Sequence, residues 1–300
     1  MRTKIKRLTP YVGEMVIYLS AVLLLSAGTY QRNRIWNSEL DLWTDCLKKS
    51  PDKSRPHYNL GTAFLSQGKY QEAVAHLRRA LQIDPNYAAA LNNLGDAYNH
   101  LGQYGEAIAQ LTEALRIKPD LAQPHNNMGN VLMRQGRYEE AIAHLSEALQ
   151  IDPNYAEAHY NLGTVFFQQG KYREAIAQFT EALRIDPNHS KAHTNLGTVF
   201  YRQHDYREAI FHYSEALRIN RDLVEAHYNL GSLFFHQGDY QESIAHFNET
   251  LRVKPDYAEA HSYLAEAYLR IGDRKLAVRE YEILKTINSS LANDLYQKIR

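Results

Sequence analysis

Residues 156–189, AEAHYNLGTVFFQQGKYREAIAQFTEALRIDPNH, form a 34-residue stretch that recurs along the chain. Steps of 34 residues from Gly163 reach five further glycines and then an alanine: Gly61, Gly95, Gly129, Gly197, Gly231 and Ala265. Tyr172, Ala175 and Pro153 belong to series with the same period. Because four positions share one period, the chain is a tandem array of one structural unit, and the fold is a stack of that unit.

The unit resembles the tetratricopeptide repeat, a helix–turn–helix of about 34 residues. Small residues stand at the eighth and twentieth positions, where this unit has Gly163 and Ala175, and a proline closes it. The resemblance implies an all-α fold, a right-handed α-solenoid or superhelix, whose units pair a first helix, such as 157–169, with a second, such as 172–185. Seven units are predicted: 54–87, 88–121, 122–155, 156–189, 190–223, 224–257 and 258–291.

The fifteenth position of each unit is expected to end the first helix. A residue just past a helix often needs a positive φ, which glycine adopts without strain. Six units have glycine there, and His204 takes its place in the fifth: Gly68, Gly102, Gly136, Gly170, Gly238 and Gly272.

Shorter segments flank the units. Residues 31–53 are interpreted as a linker and a half unit, in which Trp43 falls where later units have Leu77 or Phe179. Cys46 falls where they have Ala80, so we expect a small, buried and inert cysteine. Residues 292–300 are expected to form a capping helix with a polar outer face, because the last unit of a solenoid meets water.

Residues 11–30, YVGEMVIYLSAVLLLSAGTY, carry one charge, Glu14. Twenty helical residues span about 30 Å, the thickness of a bilayer's hydrocarbon core. We interpret the stretch as one N-terminal transmembrane helix that anchors the chain in a membrane. Two alternatives stay open: a buried core helix, and a cleaved signal peptide, since Ser26, Ala27 and Gly28 follow the apolar stretch.

Basic residues predict the orientation of that segment. The flank 1–10 contains Arg2, Lys4, Lys6 and Arg7, whereas Arg32 and Arg34 alone follow the segment closely. The positive-inside rule then places the N-terminus in the cytoplasm. The units would face the periplasm, or the lumen in a eukaryote.

The junction after the apolar segment carries a second resemblance. Residues 29–33, TYQRN, are followed by Trp36, Glu39, Leu40, Leu42 and Trp43. This pattern resembles the last span and linker of membrane proteins that join a multi-span glycosyltransferase-like region to tetratricopeptide repeats. The sequence lacks the multi-span part. The expectation is an accessory or truncated portion of an O-glycosyl- or mannosyltransferase-like system that presents protein substrates.

The charge balance argues against a nucleic-acid partner. The chain has 34 Lys and Arg against 34 Asp and Glu, whereas nucleic acid is gripped by clustered basic residues. A single cysteine also excludes an internal disulfide and a multi-cysteine zinc site.

Histidine is the residue type that most invites a catalytic or metal-binding interpretation. Six histidines stand at the fourth position: His57, His125, His159, His193, His227 and His261. Equivalent points in successive units lie about 10 Å or more apart, while a zinc–nitrogen bond is about 2 Å long. We interpret them as half-buried packing residues and predict no metal. No phosphate-binding glycine loop or nucleophile elbow occurs, so no enzyme and no cofactor are predicted.

The sixth position holds asparagine in six units: Asn59, Asn93, Asn127, Asn161, Asn195 and Asn229. First helices line the concave wall of tetratricopeptide superhelices, so the resemblance implies a ladder of carboxamides along a peptide-binding groove. It is similar to the asparagine ladder of the O-linked N-acetylglucosamine transferases. One acceptor and two donors suit each carboxamide to the backbone of an extended peptide. The alternative is that these asparagines bridge neighbouring helices.

Neighbouring positions are predicted to face the same groove with aromatic and hydroxyl groups: Tyr160, Thr164, Phe167, Tyr201, Tyr228 and Phe235. Aromatic anchors of this kind are typical of binding hot spots. Three function classes follow: a membrane-anchored, non-catalytic scaffold for proteins or extended peptides, an accessory part of a glycosylation system, and self-association of solenoids through their ends.

Overall fold

The computed structural model describes residues 38–300, together with Tyr18 and Val22. The remainder of the predicted transmembrane segment 11–30, the flank 1–10 and residues 31–37 lie outside the described residues. Within the described part, no helix is long and apolar enough to span a bilayer.

Residues 38–300 form sixteen α-helices and no strand. They are α1 (Glu39–Lys49), α2 (Ser54–Ser66), α3 (Tyr70–Ile83), α4 (Ala88–His100), α5 (Tyr104–Ile117), α6 (Ala122–Arg134), α7 (Tyr138–Ile151), α8 (Ala156–Gln168), α9 (Tyr172–Ile185), α10 (Ser190–Arg202), α11 (Tyr206–Ile219), α12 (Val224–Gln237), α13 (Tyr240–Val253), α14 (Ala258–Arg270), α15 (Arg274–Ile287) and α16 (Ser289–Ile299). From α2 to α15 the helices alternate as first and second helices of seven pairs, which we number one to seven. The predicted all-α repeat fold is confirmed.

The chain divides into two compact bodies, residues 1–127 and 128–300, with the division inside α6. In the first body α1 packs on α2, α2 on α3, α3 on α4 and α4 on α5. In the second, each helix from α7 to α16 packs on the next, and α16 also packs on α14. Each body therefore builds its interior from neighbouring helices, as a solenoid does.

The core of each of the first six pairs is a crossing in which one large side chain meets a glycine. Phe179 of α9 is fully buried, and a Cβ added to Gly163 of α8 would lie 2.8 Å from its ring carbons. Leu77 meets Gly61 in the first pair in the same way, at 2.6 Å. Small residues at the eighth position therefore let the two helices approach closely, and a side chain added at one of these glycines would collide with the core.

The turn that ends each first helix has the predicted backbone. The glycines at the fifteenth position all have positive φ, from 71° at Gly68 to 90° at Gly238. His204 adopts a φ of 62° in their place, the only positive φ of a non-glycine residue in the described chain. The turn geometry thus persists where its preferred residue is missing.

Three local expectations were wrong. The first helix of the fourth pair begins at Ala156, one residue early, because the Tyr155 carbonyl already accepts from Ala158 N, 3.0 Å away. The last helix begins at Ser289 rather than at 292, because the Asn288 side chain caps it by accepting from Leu291 N at 3.2 Å. Cys46 is half-buried, since no residue of α1 is buried.

Candidate peptide-binding groove

The predicted asparagines stand on successive first helices, and the carboxamides of four of them bridge those helices. In the first body, Asn93 Nδ2 donates to Thr62 Oγ1 over 2.9 Å, and Asn127 Nδ2 donates to Asn92 Oδ1 over 3.0 Å. The bridging role left open by the sequence is therefore present here. It uses one of the two hydrogens on each amide nitrogen.

The bridges are longer in the second body. Asn195 Nδ2 donates to Thr164 Oγ1 and to Tyr160 Oη, both at 3.4 Å, and Asn229 Nδ2 donates to Thr198 Oγ1 at 3.5 Å. At the hydrogen-bond limit such contacts are weak. The side chains of Asn195 and Asn229 are half-buried, and a carboxamide oxygen has two lone pairs with which it can accept from another molecule.

One asparagine differs in exposure from the picture of an open ladder. Asn161 is buried, with 3% of its surface exposed, whereas Asn59 and the four others are half-buried. Asn161 therefore presents almost no surface to a ligand in this structure.

One cavity of about 460 Å³ gathers four of the predicted residues: Tyr160, Asn195, Tyr228 and Asn229. Its other lining residues are Lys191, Thr194, Thr198, Leu223, Glu225 and Tyr257. They come from α8, α10, α12 and the segments that precede α12 and α14. The volume is that of a small ligand pocket.

Aromatic stacking fixes the walls of this cavity. The Tyr228 ring stacks on Tyr257 with centroids 4.9 Å apart, and the Tyr160 ring lies 4.7 Å from that of His189. Burial, with the neighbouring Tyr263 and Tyr257 hydroxyls, raises the pKa of Tyr228. Burial likewise raises the pKa of Tyr160. Both phenols therefore stay protonated and act as neutral hydrogen-bonding groups on rigid walls.

The remaining predicted residues serve packing rather than the cavity. The ring centroids of Phe167 and Tyr172, on the two helices of the fourth pair, lie 6.0 Å apart. Tyr201 packs against the core that contains Tyr213. Thr164 donates to the Tyr160 carbonyl over 2.9 Å. Phe235 borders a second cavity of about 360 Å³, which has the acidic residues Glu259, Glu266 and Asp294.

Sequence reasoning missed the charged pair at the mouth of the main cavity. Lys191 and Glu225 occupy the second position of their units, line the cavity and are exposed. The sequence contains the signal for these residues. The second position lies one helical turn before the sixth, so the two positions share a helix face.

It also missed the partners of the fourth-position histidines. His57, His193 and His227 are buried, as packing residues are, but each contacts a second imidazole nineteen residues later on the second helix. No group of three or more metal-ligating side chains occurs in the described residues.

Family models match most of the unit array. Models described as tetratricopeptide repeat match residues 58–122, 156–189, 194–252 and 234–298, and one described as TPR repeat matches 129–170.

Curated relatives share a shorter region. The chain is 36% identical over 83 residues to Protein O-mannosyl-transferase TMTC1 of Homo sapiens, which is 27% of this chain and 9% of the human protein. It is 33% identical over 72 residues to Protein O-mannosyl-transferase F38B6.6 of Caenorhabditis elegans, which is 24% of this chain and 10% of that protein. The match thus spans about a tenth of the length of these relatives.

Solved structures resemble the chain over a longer stretch. The APC/C hetero-tetramer Cut9–Hcn1 superposes with a TM-score of 0.71 at 22% identity, over 76% of this chain and 45% of that one. PilF of Pseudomonas aeruginosa superposes with a TM-score of 0.61 at 26% identity, over 71% of this chain and 97% of that one. These likenesses bear on the fold.

Proposed function

Because the chain belongs to the tetratricopeptide repeat family, we propose that it is a non-catalytic scaffold that holds an extended segment of a partner protein along its first helices. The observation that carries the proposal is the cavity shared by Tyr160, Asn195, Tyr228 and Asn229. Four residues chosen from the sequence as groove residues converge there.

The chemistry of that cavity suits a polypeptide backbone. The Oδ1 atoms of Asn195 and Asn229 accept from backbone N–H groups, and the second hydrogen of the Asn229 amide donates to a backbone carbonyl. Rigid tyrosine walls give apolar area at low entropic cost. Backbone contacts give affinity, and the aromatic walls choose among side chains.

The test is site-specific crosslinking in the native membrane fraction. A photoreactive phenylalanine analogue at Tyr228 is expected to capture a protein partner, and Asn195→Ala with Asn229→Ala is expected to lower capture at least about fivefold, the equivalent of about 1 kcal/mol. Asn248→Ala, an exposed asparagine on a second helix, is the matched control. Undiminished capture by the double variant would mean that the asparagines only bridge helices.

We also propose that residues 11–30 anchor this scaffold in a membrane, with the N-terminus in the cytoplasm and the units in the periplasm or lumen. The length, the single charge at Glu14 and the basic flank support this proposal. Protease added to intact spheroplasts is expected to spare the units until the inner membrane is lysed. Cleavage of the units in intact spheroplasts reverses the orientation. Release of the units by carbonate extraction identifies a cleaved signal peptide.

A second candidate function is an accessory role in membrane protein glycosylation. It is favoured by the identity to two proteins named O-mannosyl-transferases and by the junction around Trp36 and Trp43. On this proposal, the segment captured at Tyr228 carries an O-linked hexose or becomes glycosylated in the same membrane fraction. Mass spectrometry of the crosslinked peptide decides, since an unmodified segment in every preparation counts against the candidate.

Self-association through the ends of the solenoid is the third proposal. Size-exclusion chromatography of the purified chain with light scattering tests it. A monomer at all concentrations removes it and leaves the scaffold proposal intact.

A further inference from the structure

Three pairs of histidines join first and second helices within their units. His57 faces His76, His193 faces His212 and His227 faces His246, with Nδ1–Nδ1 distances of 3.2, 3.0 and 3.1 Å. Two nitrogens at this distance share one hydrogen, because one must donate and the other must accept. Each pair is therefore a hydrogen bond whose strength depends on its proton count.

Backbone contacts assign the proton within a pair. His227 Nε2 lies 3.0 Å from the Arg221 carbonyl, which only accepts, so Nε2 carries a hydrogen. In the neutral ring Nδ1 is then the acceptor, and His246 Nδ1 donates to it. The Pro51 and Pro187 carbonyls lie near His57 and His193 and raise the pKa of those rings against the effect of burial. The first proton that a pair takes up binds Nε2 of the second-helix ring and leaves the bond between the two Nδ1 atoms in place. A second proton would bind Nδ1 of the first-helix ring and set two N–H groups face to face.

The surroundings of the pairs disfavour that charge. Each second-helix ring stacks on a phenylalanine of the first helix, with centroids 5.4 Å apart for Phe64 and His76, 5.5 Å for Phe200 and His212, and 5.7 Å for Phe234 and His246. The apolar ring covers one face of the imidazole and keeps water from it. Burial is therefore the main cost of protonation.

The charged groups around the pairs compensate little. Arg79 is on the same helix as His76 and lies close to His57, the partner of His76. The fifth pair is faced by Glu215 and Arg218 on α11 and by His189 before α10, and Glu215 is bonded to Arg218 at 2.9 Å. His246 has Glu242 and Glu249 on α13, and Glu249 is bonded to Arg252, which also binds Asp222 near His227.

We propose that the three histidine pairs are an acid-responsive device, in which uptake of a second proton by a pair separates the second helix from the first and from the segment that precedes the pair. The preceding segment is included because the first-helix ring also contacts a backbone carbonyl of that segment. A pair at neutral pH thus ties together three consecutive pieces of chain, and its loss frees all three.

The direction of the pH effect follows from the pKa values. Burial, followed by the charge of the partner ring, lowers the pKa of His212 and of His246 to about 4. The pKa of a histidine in the unfolded chain is about 6.5, so between pH 4 and this value the unfolded chain binds more protons than the folded one. Stability is then complete above the unfolded pKa and is lost as the pH falls toward 4.

The chain contains its own control for this proposal. In the fourth pair, His159 Nδ1 lies 2.8 Å from Gln178 Oε1 and its Nε2 lies 3.2 Å from the Pro153 carbonyl. A carboxamide presents either its oxygen or its NH2 after a flip, so it bonds a protonated or a neutral ring equally well. His212→Gln with His246→Gln copies this arrangement into the fifth and sixth pairs.

The experiment measures thermal unfolding of the full chain and of that double variant at pH 7.5 and pH 5.0. The wild-type midpoint is expected to fall by about 5 °C more than that of the double variant between these pH values. His236→Gln, at an exposed histidine, is the matched control and is expected to keep the wild-type drop. Equal drops for the wild type and the double variant overturn the proposal.

A second measurement keeps the proposal testable if the double variant folds poorly. The imidazole resonances of His212 and His246 in the wild-type chain are followed by NMR between pH 8 and pH 4. Titration far below that of the exposed His236, with helix signals lost as they titrate, supports the proposal. Titration of both rings beside His236 overturns it.

Discussion

The fifth and seventh pairs share one backbone plan and differ at the crossing. In the fifth, Gly197 leaves room for Tyr213, which is 1% exposed and donates its hydroxyl to Thr198 Oγ1 over 3.1 Å. In the seventh, Ala265 replaces the glycine, and Tyr281 at the corresponding position is only half-buried. The alanine methyl group at this position thus leaves less room for a large ring than glycine does, because protein interiors are close-packed.

The two pairs also differ at the buried polar contact and at the groove. His193 meets His212 in the fifth, whereas His261 meets the Glu280 carboxylate at 2.6 Å in the seventh. On the groove side, Asn195 is replaced by Tyr263, whose ring stacks on Phe247 at 5.5 Å. The same helix–turn–helix therefore accommodates either two imidazoles or an imidazole and a carboxylate in its interior. In the seventh unit, an aromatic ring takes the sixth position, where the other units have asparagine.

The largest effect is expected from Gly197→Leu. A Cβ there would already lie 2.8 Å from Tyr213 Cδ1 and 3.2 Å from the Ala209 carbonyl, so the added side chain forces the two helices apart. We expect a loss of about 3 kcal/mol in the free energy of unfolding, the upper end for overpacking. Urea unfolding measures it, and Ala265→Gly in the seventh pair is the control, with a change below about 1 kcal/mol. Equal effects at the two sites would contradict the packing difference.

These packing positions could be predicted from the sequence because they depend on the unit alone. Gly163, Ala175 and the fifteenth-position glycines recur at 34 residues, and the geometry of one helix pair explains them. The second helix of the fourth unit was predicted with its observed limits, 172–185. His204 follows the same rule although it is not a glycine, since the turn requires a positive φ whatever residue occupies it.

The groove could be predicted only in part, because its chemistry depends on the distance between successive units. Asn93 and Asn229 stand at the same position, yet their bridges to the preceding helix measure 2.9 and 3.5 Å. The 34-residue period has no signal for that difference, nor for the burial of Asn161. The histidine pairs were readable as a spacing of nineteen residues, but only with both helices of a unit considered together.

The next largest effect is expected from Glu280→Ala, which leaves His261 buried without its carboxylate. Burial lowers the pKa of His261, but the hydrogen bond and charge of Glu280 and the Pro255 carbonyl outweigh it and raise the pKa above its ordinary value. This stabilisation is complete below the unfolded pKa and is lost as the pH rises through the raised one. We expect a cost of about 2 kcal/mol at pH 6 and a smaller one at pH 9, measured by urea unfolding at both. A larger cost at pH 9 would contradict this sign.

Glu280→His converts the seventh pair to the arrangement of the fifth. We expect the pH dependence at this site to change sign, with a loss of about 1 kcal/mol on going from pH 7.5 to pH 5, beyond the wild-type change. Thermal unfolding at the two pH values measures it. Glu280→Gln copies the fourth pair and is the control; it loses only the low-pH stabilisation that the carboxylate supplies, so its added loss at pH 5 should be smaller than that of Glu280→His. If both variants respond alike, the second imidazole is not the source of acid sensitivity.

The smallest effect on stability is expected at the groove, from Asn195→Ala. Its two bridges are 3.4 Å long, so their removal should cost about 0.5 kcal/mol, whereas Asn93→Ala should cost about 1 kcal/mol because its bond to Thr62 is 2.9 Å. Urea unfolding of the two variants compares them directly. A cost at Asn195 as large as at Asn93 would assign the asparagine to packing, the role that an aromatic ring takes at Tyr263. A small cost combined with lost capture at Tyr228 assigns Asn195 to the partner, because a residue that contributes little to folding yet much to binding contacts the bound segment.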